Sequence, residues 1–336
     1  MPGSATRPAA VRRKLLASSI CDLPLAVAGS PLAGPVEQLY AELKRAGLLF
    51  RPPVYVSDGW GCPDRVPVIG VPFYLADERL RRLVSASRGC PVEDGAEITR
   101  YLRHEAGHAF AYAYRLYDEP EWRKLFGSFH QPYPEHFPAR PFSPRFVRHI
   151  PGWYTQKHPD EDFAESFAVW LTPGSPWRKR YASTPALAKL EYVERAVKRL
   201  GKTPPPLVGG PADRPLDSLG MTLGAWLGTG GDYCPRRVKL PSSFKQDLKD
   251  LFPAAQGQPV SALLREDRCG LLDEVHALTG LDSDLLYALI QELIRMAAGL
   301  KLKIDPEALT PARVKLAILL TTLAMHFQHK GSFVEE

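Results

Sequence analysis

With 336 residues, 45% of them hydrophobic and 24% charged, the chain can bury more than one core, and disorder over most of its length is excluded. The formal charge of +6 comes without basic blocks interleaved with aromatics. Helix-turn-helix, finger and RNA-recognition signatures are missing too, so no nucleic-acid partner is expected. Five cysteines (Cys21, Cys62, Cys90, Cys234 and Cys269) stand far apart with no CxxC pair. Neither a thiolate zinc site nor a disulfide framework is therefore expected, and a reducing compartment fits.

The predicted elements follow in chain order. Residues 1–34 read as an N-terminal extension. Arg12, Arg13 and Lys14 precede an apolar stretch that Asp22 and Pro24 interrupt, which makes a poor export signal. No run of about 18 apolar residues occurs, so no membrane span is expected. A cytoplasmic location is the resulting expectation. LYAELKRAGLL, from Leu39, holds a short amphipathic helix ending near Gly47. PPVYVSD from Pro52 and VPVIGVPFYL from Val66 read as strands, the second weakened by Gly70 and Pro72. That second strand could serve as an edge that aligns an extended peptide. DERLRRLVSA from Asp77 reads as a helix.

The central helix starts near Ala96, with Ile98, Leu102, Ala106, Phe110 and Tyr114 near the helical period. Residues 118–160 are rich in Pro, His and aromatics and read as a long ordered loop. A second helix starts at Asp160 and stops at Pro173 and Gly174. A third spans Thr184 to Gly201, with Thr184 as its cap and Pro185 at its first position. Residues 203–217 read as a linker, and 218–336 as a mainly helical domain that could receive a protein partner. The glycines of LGTGGDY at Leu227 lack the Lys-Ser/Thr of a phosphate loop, so nucleotide binding is not expected.

His104-Glu105-Ala106-Gly107-His108 is an HExxH pattern inside the central helix. Residues four apart share one helix face. Both imidazoles can then reach one Zn2+, with Glu105 placed to take a proton from water. Gly107 costs up to about 1 kcal/mol in a helix interior and implies a close approach there. The extended pattern with a third histidine is missing, because residues 111 and 114 are Ala and Tyr. The third ligand must come from elsewhere. Glu161 and Glu165 lie one turn apart in EDFAESFA. They make sense if Glu161 binds zinc and Glu165 holds a ligand imidazole. A solvated acidic first turn is the competing reading. It accounts well for Asp160, Glu161 and Asp162 and less well for Glu165. His130, His136, His149 and His158 read as ordinary loop histidines rather than a further metal site.

HEAGH followed by EDFAESFA resembles the gluzincin metallopeptidases. The likeness is greatest to bacterial zinc-binding metallopeptidases and more distant to anthrax lethal factor-like peptidases. It covers roughly residues 35–200. The resemblance implies an α+β, zincin-like catalytic domain with one zinc ion on His104, His108 and Glu161. It also implies Glu105 as general base, Glu165 behind the ligands, and Tyr154, seven residues before Glu161, as donor to the oxyanion. The expected activity is hydrolysis of a peptide or protein substrate. Two rivals stand beside it. One is a structural zinc in a non-catalytic binding or regulatory module. The other is a zinc amidohydrolase acting on a small non-peptide amide.

Overall fold

The computed structural model describes residues 6–134, 137–228, 238–254 and 256–334. His136, Cys234 and the glycine-rich run from Thr229 lie outside them. The fold is mixed and mostly helical, with a small parallel sheet. It divides into two compact units. The first comprises Met1–Tyr133, Ser143–Ile150 and His158–Tyr233; the second comprises Pro134–Phe142, Pro151–Lys157 and Cys234–Glu336.

The first unit opens with α1 (Thr6–Ala17) and α2 (Ala33–Arg45). β1 (Val54–Ser57) and β2 (Ile69–Pro72) then pair in parallel, with Val54 opposite Ile69 and Val56 opposite Val71. Both groups of Gly70 are taken by Gly61, through bonds of 2.8 and 3.3 Å. Pro72 has no N–H to offer. The edge of β2 expected to receive a peptide is thus already occupied at Gly70. α3 (Glu78–Arg88) follows, capped by Asp77.

α4 (Gly95–Tyr114) carries the HExxH pattern. Its start is set by a capping box. Asp94 accepts from the backbone of Ala96 and Glu97, both at 2.8 Å, while Glu97 accepts from Asp94 N at 2.9 Å. Ile98, Leu102, Ala106, Ala109, Phe110 and Ala113 are buried, which explains the helical spacing of these residues. The long loop contains α5 (Pro120–Phe126). α6 (Pro159–Leu171) packs along α4, and Phe110 meets Phe167 at 5.3 Å. α7 (Trp177–Arg180) and α8 (Ala186–Leu200) follow.

The expected linker is bonded into this unit. Leu207 N donates to Ala113 O at 3.2 Å, and Tyr114 donates to Thr203 O at 2.7 Å. Tyr55 donates to Asp213 O at 2.9 Å. The N-terminal extension joins it as well, with Ile20 N bonded to Met221 O at 3.0 Å just before α9 (Leu223–Trp226). Among the described residues, those from 203 to 228 therefore group with the first unit.

The second unit holds α10 (Phe244–Leu251), the two-residue strand β3 (Gln258–Pro259), α11 (Val260–Glu266) and α12 (Arg268–Thr279). α13 (Ser283–Gly299), β4 (Lys303–Ile304) and α14 (Leu309–Lys330) complete it. Leu286, Leu289, Ile290, Leu316 and Leu320 form much of its core. Segments before and after Ser143–Ile150 belong here too. Trp153 donates to Leu278 O at 2.9 Å, and Gly152 leaves no room for a Cβ against the His276 ring. By length and composition Pro306–Lys330 could cross a membrane, contrary to expectation. In the unit, Leu316, Leu320 and Leu323 of α14 are buried while Val314 and Ile318 are exposed. Cys90 and Cys269 are each disulfide-bonded, contrary to the expectation of no disulfide framework. Such bonds persist outside reducing compartments, so the cytoplasmic expectation loses its cysteine argument.

Candidate metal centre

α4 and α6 cross so closely at Gly107 that a Cβ there would lie 2.7 Å from Ala164 Cα and 2.9 Å from its carbonyl oxygen. The glycine lets the two helix faces meet. His104 and His108 then face Glu161 across the gap. His104 Nε2 lies 3.1 Å from His108 Nε2 and 3.0 Å from Glu161 Oε2, and His108 Nε2 lies 3.2 Å from that same oxygen. The three atoms form a nearly equilateral triangle. Ligands about 2.0–2.1 Å from a tetrahedral ion would sit at similar mutual spacing. His104, His108 and Glu161 are all buried and could hold a metal ion.

The other ring nitrogens explain why Nε2 points inward as an acceptor. His104 Nδ1 lies 2.9 Å from Glu165 Oε1. Glu165 Oε2 accepts from the backbone of His149 and Ile150, both at 2.9 Å. Every carboxylate oxygen of this fully buried residue is thus engaged, and the imidazole is held with its proton on Nδ1. His108 Nδ1 lies 2.9 Å from Asp160 Oδ2. The direction is poor for a hydrogen bond, and Nδ1 has no hydrogen-bond partner. The contact is electrostatic, yet it still favours the proton on Nδ1. Tyr112 donates to the same Asp160 oxygen at 2.5 Å.

With each imidazole proton on its outer nitrogen, three lone pairs would converge on one point, which is repulsive unless positive charge lies between them. In the metal-free centre, extra protons on the imidazoles supply that charge and pair them with Glu161. Burial opposes charge on His104, but the Glu161 and Glu165 carboxylates outweigh it and raise its pKa to about 9. Burial likewise opposes charge on His108, and Asp160 and Glu161 raise its pKa well above the usual value. Burial would raise the Glu161 pKa, but the two imidazoles hold it well below the carboxylate range.

Glu105 is buried, and its Oε2 has no hydrogen-bond partner. Burial raises its pKa, against the pull of the two imidazoles. Cys62 donates to the Glu105 backbone carbonyl at 3.3 Å. Burial, then the Glu105 and Asp160 carboxylates, push that thiol well up, so it stays protonated.

The solvated-turn reading of α6 does not hold. Asp160, Glu161, Asp162 and Glu165 are 6, 4, 2 and 0% exposed. Asp162 is paired with Lys189 at 2.5 Å. Asp160 was missed as a partner of His108 because an acid in a helix's first turn satisfies the helix dipole wherever it points. Tyr133, which donates to Glu161 Oε1, was missed because a loop has no period to reveal it. Of the histidines between the motifs, His158 caps α6 by accepting from Asp160 N at 3.2 Å. His149 contacts Arg100 O at 3.0 Å. Tyr154 falls in the second unit, with the Lys157 ammonium 5.2 Å from its ring. No family model, curated protein or solved structure matches the chain.

Proposed function

We propose that the chain is a zinc-dependent hydrolase of peptide bonds with a zincin-like first unit. The observation that carries this reading is the triangle of His104 Nε2, His108 Nε2 and Glu161 Oε2. Among the described residues no fourth His, Cys, Asp or Glu joins that group. Three protein ligands are the pattern of catalytic zinc, whereas structural sites are closed by a fourth. This favours catalysis over a structural role. The two imidazoles and one carboxylate also suit zinc as a donor set.

When bound, zinc would supply Lewis-acid polarisation of the scissile carbonyl and acidify the attacking water. The remaining work falls to the chain. Glu105 accepts the proton of that water and returns it to the leaving amine, and its raised pKa suits both steps. Glu165 and Asp160 keep both imidazoles oriented. Tyr154 as oxyanion donor is carried by the gluzincin resemblance alone.

Turnover of a mixed peptide library by wild type and by Glu105→Gln tests the reading. Turnover in wild type with a loss of at least a hundredfold in the variant is expected. Equal turnover in both, or none in the zinc-loaded wild type, overturns it.

A further inference from the structure

Glu161 divides its carboxylate. Oε2 faces both imidazole nitrogens, at 3.0 and 3.2 Å, while Oε1 accepts the hydroxyl proton of Tyr133. A hydroxyl bonded to a carboxylate oxygen makes a strong, charge-assisted bond. Turning Oε1 toward the ligand triangle would break it.

Tyr133 is itself delivered by a small network. Its ring lies 5.2 Å from that of His158. His158 in turn touches Gln131 O at 3.1 Å and accepts from Asp160 N at 3.2 Å. One imidazole thus ties the loop before Tyr133 to the first turn of α6, where Glu161 sits. The Tyr133 side chain is 51% exposed, so the core does not require it.

We propose that Tyr133 is a positioning residue that restricts Glu161 to one-oxygen metal binding and so keeps the centre at low coordination number. The inference rests on the metal-binding reading above. With the hydroxyl gone, Oε1 is free to turn inward and the carboxylate binds through both oxygens. The metal then gains a protein oxygen beside its water, as a fifth donor.

Cobalt(II) replaces zinc in such donor sets and reports coordination number, because four-coordinate cobalt absorbs visible light more intensely than five-coordinate cobalt. The test compares cobalt titrations of wild type and Tyr133→Phe, followed by visible absorption, with thermal melting of the metal-free proteins as a check on folding. The expected result is an intense four-coordinate spectrum for wild type. Tyr133→Phe should melt alike without metal and show the fainter five-coordinate spectrum. An unchanged spectrum in Tyr133→Phe overturns the proposal, whatever the affinity does. A wild type that binds no cobalt overturns the metal reading beneath it.

Discussion

His104 and His108 face one another Nε2 to Nε2 at 3.1 Å. Neutral imidazoles with protons on the outer nitrogens would gain nothing from that approach; without a metal, the surrounding carboxylates draw extra protons onto both rings. With Glu161 the pair could hold a metal ion, and α4 brings it together by a spacing of four residues.

Glu165→Gln tests how that arrangement is held. The amide can present only one oxygen where the carboxylate offers two, so it leaves either the backbone N–H groups of His149 and Ile150 or His104 Nδ1 facing a donor. Zinc affinity should fall about 10–100-fold. Stability should fall by about 1–3 kcal/mol, the cost of a buried group left unsatisfied. Isothermal titration and denaturant unfolding measure the two. Unchanged zinc affinity would show that Glu165 does not orient His104.

Gly107→Ala gives a prediction of sign. In an open helix interior this change stabilises by about 1 kcal/mol. Here the new Cβ would lie 2.7 Å from Ala164 Cα, and backbone cannot swing aside as a flexible side chain can. Overpacking of this kind costs about 1–3 kcal/mol, so the melting temperature should fall. A rise would mean that α4 and α6 are less tightly apposed than described.

Much of this site could be read from the chain alone. His104, Glu105 and His108 follow from periodicity, and Glu161 and Glu165 from a shared helix face. Gly107 was interpretable because a glycine inside a helix calls for a reason. Asp160 and Tyr133 were not legible. The first hides among acids that any helix start favours, and the second depends on a loop path that no repeat describes. The second unit is mainly helical as expected, though Val314 and Ile318 of α14 are exposed apolar residues. The assignment of residues 151–157 to that unit was not legible, because it depends on single contacts such as Trp153 to Leu278. That Cys90 and Cys269 are each oxidised was equally invisible, since wide spacings carry no such information.

Away from the centre, α2 is fastened to α4 by Glu42 and Arg103, joined by two bonds of 2.7 Å. Burial would raise the Glu42 pKa, but the bonds from Arg103 and Gln38 outweigh it, and the pKa is lowered from 4.5. A depressed carboxylate contributes stability above its unfolded pKa and loses it as pH falls through the folded value. Wild type should therefore lose stability below about pH 4.5 more steeply than Glu42→Gln. Near pH 7 the variant should be weaker by about 3 kcal/mol, as expected when one partner of a buried pair is removed. Urea melts between pH 3 and 7 check both, and parallel curves would contradict the assignment.

The central claim is that His104, His108 and Glu161 hold one metal ion. Its most direct test is zinc content per chain after dialysis against zinc-replete and then zinc-free buffer, measured by elemental analysis for wild type and His108→Ala. About one zinc per wild-type chain is expected from the single three-residue site, with the variant retaining far less. A folded wild type that retains no zinc, or a variant that retains as much as wild type, would contradict the account.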